Sequence, residues 1–144
     1  WGYQDGRILV LYLIVVVKVT DIGAYSVGCA IGRHKLIPRI SPAKTWEGVF
    51  GGVGAAVGAS LLFAHFAASH LRQFAFSTVD VIAIGFLLAA AGILGDLIES
   101  LFKRASGVKD SGRMFLGMGG ILDVLDSLLF AAPIFYLYVK LTAP

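Results

Sequence analysis

Four apolar runs, each long enough to cross a bilayer as helix, dominate this chain and leave it few other folds. A hydrocarbon core about 30 Å thick needs about 20 consecutive, mostly apolar residues in helical form. Runs of that kind occupy residues 8–31, 48–68, 79–102 and 120–141. Of the 144 residues 58% are hydrophobic and 15% charged, a balance outside the range of a soluble domain of this size. The fold class expected is all-α, a polytopic transmembrane helical bundle with about four spans. Without a tandem repeat or low-complexity linker, residues 1–144 read as a single membrane-embedded domain.

Details within the runs refine that picture. Lys18 and Asp21 interrupt the first, so a break near Asp21 is expected there. In the second, Gly48, Gly52 and Ala56, like Gly51, Ala55 and Ala59, recur at four-residue spacing. Small residues so placed let neighbouring helices approach closely, which assigns this run to packing. Pro133 in the fourth is a tolerated kink. The single Cys29 excludes an intrachain disulfide and any multi-cysteine metal site, and a buried structural role is expected for it.

The net charge is +3, but its distribution says more than its size. Arg33, His34, Lys35, Arg39 and Lys44 crowd RHKLIPRISPAKTWEG, while Lys103, Arg104, Lys109 and Arg113 crowd a second loop. Neither cluster interleaves aromatic residues with its cations, which argues against nucleic acid as a partner. HLRQFAFST, between the second and third runs, carries only Arg72. Because Lys and Arg collect on the cytoplasmic side, both basic loops are expected there.

Charges also lie inside the apolar runs. Asp96, Glu99 and Lys103 fall at i, i+3 and i+7 on one helical stripe, and Asp123 and Asp126 share a face at i, i+3. Three carboxylates near a bilayer centre cost on the order of 8–10 kcal/mol, so something must offset them. Facing acids that share a hard cation such as Mg²⁺ are one answer. Salt bridges to Lys103, Arg104 and Lys109, or a place at the water interface, are the other, and spacing alone does not choose. The loop between the acidic helices tips the balance. KRASGVKDSGR alternates cations with Gly and hydroxyl residues, a combination suited to phosphate, with Ser106, Gly107, Ser111 and Gly112 letting backbone N–H groups approach.

The ordered set S-x-F-K-R, K-D-S-G, G-x-G-G-I-L-D and a second Asp three residues on, over residues 100–126, resembles the signature of the phosphatidate cytidylyltransferase family. DIGAYSVG at residues 21–28, SPAKTWEG at 41–48 and GDLIES at 95–100 resemble further family blocks, and the likeness covers residues 20–138. The order opens on Trp1, and the chain is expected to be the C-terminal, catalytic half of a longer protein. Leu116, Met118 and Val124 stand where Pro, His and Arg are common in the family, and Ala43 replaces the first Lys of its loop.

The resemblance implies an Mg²⁺-dependent nucleotidyltransferase that makes CDP-diacylglycerol and pyrophosphate from CTP and phosphatidate. On that reading Asp96 and Asp123 bind the metal, with Asp126 supporting them or holding a second cation such as K⁺. Lys103, Arg104 and Lys109 complete the catalytic set by contacting phosphates. Ser41, Lys44, Thr45, Ser100, Asp110, Ser111, Gly119 and Gly120 are the expected substrate-binding residues, with Asp110 alternatively orienting Lys109. Asp21 and Glu47 are expected to complete a polar wall nearby. A bacterial inner membrane and a homodimer are the implied setting and assembly. A CTP-dependent lipid kinase and an inactive homologue are the alternatives.

Overall fold

The computed structural model describes residues 3–67, 76–105 and 119–142, with the side chains of 3–5, 103 and 119–126 outside the description. Four helices run through it: α1 (Tyr3–Ile31), α2 (Trp46–Phe66), α3 (Thr78–Ala105) and α4 (Gly119–Thr142). Three carry spans long and apolar enough to cross a membrane, Gly6–Ile31, Trp46–Phe66 and Thr78–Phe102, and Ser127–Thr142 of α4 is a shorter apolar helix. The expected helical membrane protein is what the chain forms.

Burial runs opposite to that of a water-soluble bundle. Phe50, Phe66, Val79, Phe102, Leu129 and Leu141 are exposed, whereas the hydroxyl residues Thr20, Ser60 and Ser127 are buried. An apolar solvent gives the outer side chains no reason to turn inward, and polar groups find partners only between helices. The core is a column of i, i+3 and i+4 positions. Leu9, Tyr12, Leu13, Val16 and Val17 of α1 meet Ala56 of α2, Ile84, Leu88, Ala89 and Ala91 of α3, and Ala131, Phe135 and Val139 of α4.

α1 and α2 pack along the small-residue stripe expected of the second run: Gly48, Gly52, Ala56 and Ser60 are all buried. A Cβ on Gly52 would lie 3.0 Å from Ala24 Cβ and 3.1 Å from Thr20 O, so the absent side chain sets how near the two backbones come. α2 and α4 flank α3, and α1 also touches both α3 and α4.

Two features depart from the sequence reading. α1 is unbroken at Asp21, because Lys18 Nζ reaches Asp21 Oδ2 at 3.1 Å one turn away and the helix carries both charges as a pair. The first basic loop contains a small antiparallel ribbon, β1 (Lys35–Ile37) with β2 (Ser41–Thr45), inside the otherwise helical fold. Pro38 leads its turn, which Ile40 N closes by donating to Ile37 O at 3.1 Å. Lys35 pairs with Thr45 and Ile37 with Ser41, so the register slips between them. Pro42, with no N–H to give the ladder, sits in the stretch that slips.

Candidate active site

The ribbon and the neighbouring parts of the helices line an open cavity of about 550 Å³. Each wall comes from a different element. Asp21, Tyr25 and Cys29 descend from α1 at four-residue intervals, Ser41, Lys44 and Thr45 come from β2, Asp96, Glu99 and Ser100 from α3, and Ser127 from α4.

β2 delivers Lys44 because its end is fixed twice. Thr45, extended at φ −128° and ψ 154°, caps α2 by accepting from Gly48 N at 3.1 Å, and Trp46 N donates to His34 O at 2.9 Å. Next to that cap, both carboxylate oxygens of Glu47 accept from His34 N at 3.2 Å, and His34 Nδ1 lies 2.6 Å from Glu47 Oε1. A third tie comes from α3, where Arg104 Nε donates to Ile40 O in the turn. The first basic loop and the C-terminal end of α3 therefore meet at one end of the bundle.

Inside the cavity, Lys44 Nζ is shut off from solvent and lies 2.6 Å from Asp96 Oδ2, an ion pair whose angles are not those of a hydrogen bond. Asp96 is the more open partner, its side chain 43% exposed against 20% for Lys44. Two further lining residues share a cation from α1: Lys18 Nζ donates to Asp21 Oδ2 at 3.1 Å and to Ser127 Oγ at 3.4 Å, linking α1 to the residue that follows Asp126 on α4. Among the described residues the lining carries three carboxylates, Asp21, Asp96 and Glu99, and one ammonium, Lys44.

Of the residues expected at the site, Asp96, Ser41, Lys44, Thr45 and Ser100 share this cavity. Thr45 lines it while its hydroxyl caps α2, whereas Arg104 is absent from the lining and meets the ribbon turn at Ile40. Gly119 and Gly120 open α4. Lys109, Asp110 and Ser111 lie outside the described residues, as do the side chains of Lys103, Asp123 and Asp126. Asp21 takes its place in the polar wall, whereas Glu47 is absent from the lining and engaged with His34.

Cys29 is exposed on the cavity rather than buried, because α1 runs on past its core contacts and Cys29 follows Tyr25 on the same face. Tyr25, Glu99 and Ser127 belong to the wall without having been assigned to it. The four-residue step from Asp21 to Tyr25, and the three-residue step from Asp96 to Glu99, were the available signals. Ser127 gave none, since its place follows from how α4 packs. Among the described residues no three His, Cys, Asp or Glu side chains gather closely enough to hold a metal ion.

A profile of the cytidylyltransferase family matches residues 2–142. A phosphatidate cytidylyltransferase of Haemophilus influenzae is 45% identical over 134 residues, covering 92% of this chain and 46% of that protein. Its counterpart in Staphylococcus haemolyticus is 45% identical over 131 residues, covering 91% and 48%. YnbB, an uncharacterized protein of Escherichia coli, is 39% identical over 137 residues, covering 95% and 44%. The chain spans about half the length of the curated relatives it matches.

Proposed function

The chain belongs to the cytidylyltransferase family, and on that premise we propose that it transfers the cytidylyl group of CTP to phosphatidate, yielding CDP-diacylglycerol and pyrophosphate. The observation that carries the reading is the cavity at the ribbon end of the bundle, where Asp96 and Lys44 face each other between a membrane helix and a basic loop. Such a place admits a charged nucleotide from water and a lipid headgroup from the bilayer.

The chemistry suits the residues. A phosphomonoester is already anionic near neutral pH, with a second pKa of about 6, so its oxygen needs no general base to attack. That oxygen forms a bond to the α-phosphorus of CTP, the α–β phosphoanhydride bond breaks, and pyrophosphate leaves. What the protein supplies is alignment and charge neutralisation. Lys44 contributes an ammonium from the ribbon, and Arg104, Lys103 and Lys109 contribute cations from the end of α3 and the loop after it. Ser41, Ser100, Thr45 and Ser111 add hydroxyl groups, Gly119 and Gly120 close backbone approach, and Asp110 orients Lys109.

What supports a hard cation is the set of carboxylates in the lining, Asp21, Asp96 and Glu99, of which Asp96 already meets a positive charge at 2.6 Å. Asp96 and Asp123 would hold Mg²⁺, with Asp126 supporting them or holding a second cation such as K⁺, and the ion would supply further neutralisation of phosphate charge. The bacterial relatives and the positive-inside rule support a bacterial inner membrane with both basic loops cytoplasmic. A homodimer is the assembly that accompanies this reading.

The test is transfer of label from CTP into lipid by the full-length protein in detergent, with phosphatidate and Mg²⁺, beside Asp96→Ala and Asp123→Ala. CDP-diacylglycerol and pyrophosphate from wild type, with both variants folded and reduced at least about 100-fold, is the expected result. CDP with a phosphorylated lipid alcohol would replace the reading with a kinase, and full activity in either variant would remove that carboxylate from the site.

A further inference from the structure

The Lys44–Asp96 pair joins two groups to which the proposed reaction gives opposite duties, the carboxylate to hold a cation and the ammonium to hold a phosphate. In the structure they hold each other at 2.6 Å. Nζ is shielded from solvent and has no hydrogen-bond partner among the described residues, and the charge it faces is the carboxylate. We infer that Lys44 is an internal counter-ion that fills the cation seat of Asp96 in the ligand-free protein. Entry of a divalent cation frees it to meet a nucleotide phosphate. The inference rests on the reading above in one respect, that Asp96 is a cation seat.

Three observations support the exchange. A carboxylate at the end of a membrane helix is costly without a nearby positive charge, and Lys44 provides one before any ligand arrives. The two partners are unequally open, with Asp96 more than twice as exposed as Lys44, so an ion reaches the carboxylate from the cavity without first displacing the ribbon. Lys44 also comes from β2, outside the helix bundle, on a flexible four-carbon stem. The Thr45 cap and the Arg104 contact with Ile40 hold the ribbon backbone, so the ammonium changes partner by rotation of its own side chain.

A divalent ion and an ammonium repel each other at contact distance, so each weakens the other's hold on a shared carboxylate. Cation binding therefore releases Lys44, and a phosphate that captures the released ammonium in turn favours the cation. Linkage makes this coupling reciprocal. Lys44 thereby weakens the cation's affinity when the ion binds alone and strengthens it when nucleotide is present.

Mn²⁺ titration of the full-length protein in detergent, read by electron paramagnetic resonance, tests this without turnover. With no nucleotide present, Lys44→Met should bind Mn²⁺ about tenfold more tightly than wild type, within the span of ordinary site-to-site couplings. Lys44→Gln, a smaller change in polarity, should repeat the gain, which guards against a folding defect in either variant. With CTP present, the boost that nucleotide gives to Mn²⁺ affinity should shrink in both, while Asp96→Asn should weaken Mn²⁺ binding at least tenfold. Unchanged or weaker binding in both Lys44 variants, with Asp96→Asn still impaired, overturns the counter-ion role and leaves the cation seat standing. Unaltered binding in Asp96→Asn overturns both.

Discussion

Arg104, in the last turn of α3, donates Nε to the carbonyl of Ile40 and so ties a membrane helix to the ribbon turn that carries Ser41 and Lys44 over the cavity. The guanidinium holds its donors in a fixed planar fork, so the Nε contact also sets the direction of the others. Charge alone does not reproduce this arrangement, because an ammonium lacks the planar fork. If the proposed reaction holds, Arg104→Lys should therefore keep less than about a tenth of wild-type kcat/KM, with most of the loss in KM for CTP, since a misplaced ribbon weakens binding before chemistry. Steady-state kinetics over a CTP series decides it, and full activity in Arg104→Lys would remove the tie from the account.

Lys18 and Asp21 offset each other within the first span, and Lys18 also reaches Ser127. Removing one partner leaves a charge with fewer means of stabilisation in an apolar setting. Lys18→Met should destabilise the protein by about 1–3 kcal/mol, the range of ordinary damaging substitutions. Asp21→Asn added to Lys18→Met should recover part of that loss, because the carboxylate that lost its Lys18 contact is then neutral. Thermal unfolding of the three variants in one detergent provides the comparison, and strictly additive losses would mean that the two residues act independently.

Much of this was legible in the sequence, and the misses have physical causes. Run length and hydropathy are set by bilayer thickness, so the helices lay close to where they were expected. The spacing of Gly48, Gly52 and Ala56 is a one-dimensional record of a close helix contact, and the contact is there. Continuity of α1 was missed because two charges counted one by one look disruptive, whereas at i, i+3 they compensate. The ribbon was missed because five residues around Pro42 carry little strand signal, and its ties to His34 and Arg104 come from outside the segment. Asp96 stood out by its spacing from Glu99 and Lys103 inside an apolar run, and Ser41, Lys44 and Ser100 by motif resemblance, while their convergence on one cavity is a tertiary fact. That Lys44 pairs with Asp96 lay beyond any spacing rule, since 52 residues and a helix hairpin separate them.

The α1–α2 interface predicts a contrast between glycines that look alike in the sequence. A Cβ on Gly23 would fall 2.5 Å from Ala55 Cβ, and one on Gly51 2.5 Å from Val27 Cβ, while Gly54 and Gly58 have nothing within 4 Å. Overpacking of such contacts typically costs about 1–3 kcal/mol. Gly23→Ala and Gly51→Ala should therefore lower Tm, whereas Gly54→Ala and Gly58→Ala should leave it unchanged or raise it through better helix propensity. Equal effects at all four positions would mean that the helices are held by something other than this close approach.

Deeper in the bundle, Tyr12 OH and Ser60 Oγ are hydrogen-bonded, and Ser60 Oγ donates onward to Val81 O at 2.6 Å, so one buried chain of hydroxyls joins α1, α2 and α3. With its proton committed to Val81 O, Ser60 accepts from Tyr12, which makes Ser60 the joint and Tyr12 the end of the chain. Tyr12→Phe removes only the end: its ring keeps the contacts with Phe63 at 5.2 Å and Phe135 at 5.6 Å between centroids, and Ser60 still donates to Val81 O. Ser60→Ala instead strands the Tyr12 hydroxyl and removes the extra bond at Val81 O, in an interior without water to replace either. The expected order is therefore a loss of about 0.6 kcal/mol for Tyr12→Phe, the mean for interhelical hydrogen bonds in membranes, and a larger one of about 1–3 kcal/mol for Ser60→Ala. In the Tyr12→Phe background, Ser60→Ala should then cost less than it does alone, because no tyrosine hydroxyl remains to be stranded. Unfolding midpoints for the two single variants and the double variant close this cycle, and a Tyr12→Phe loss as large as that of Ser60→Ala would show that the chain does not end where the geometry places it.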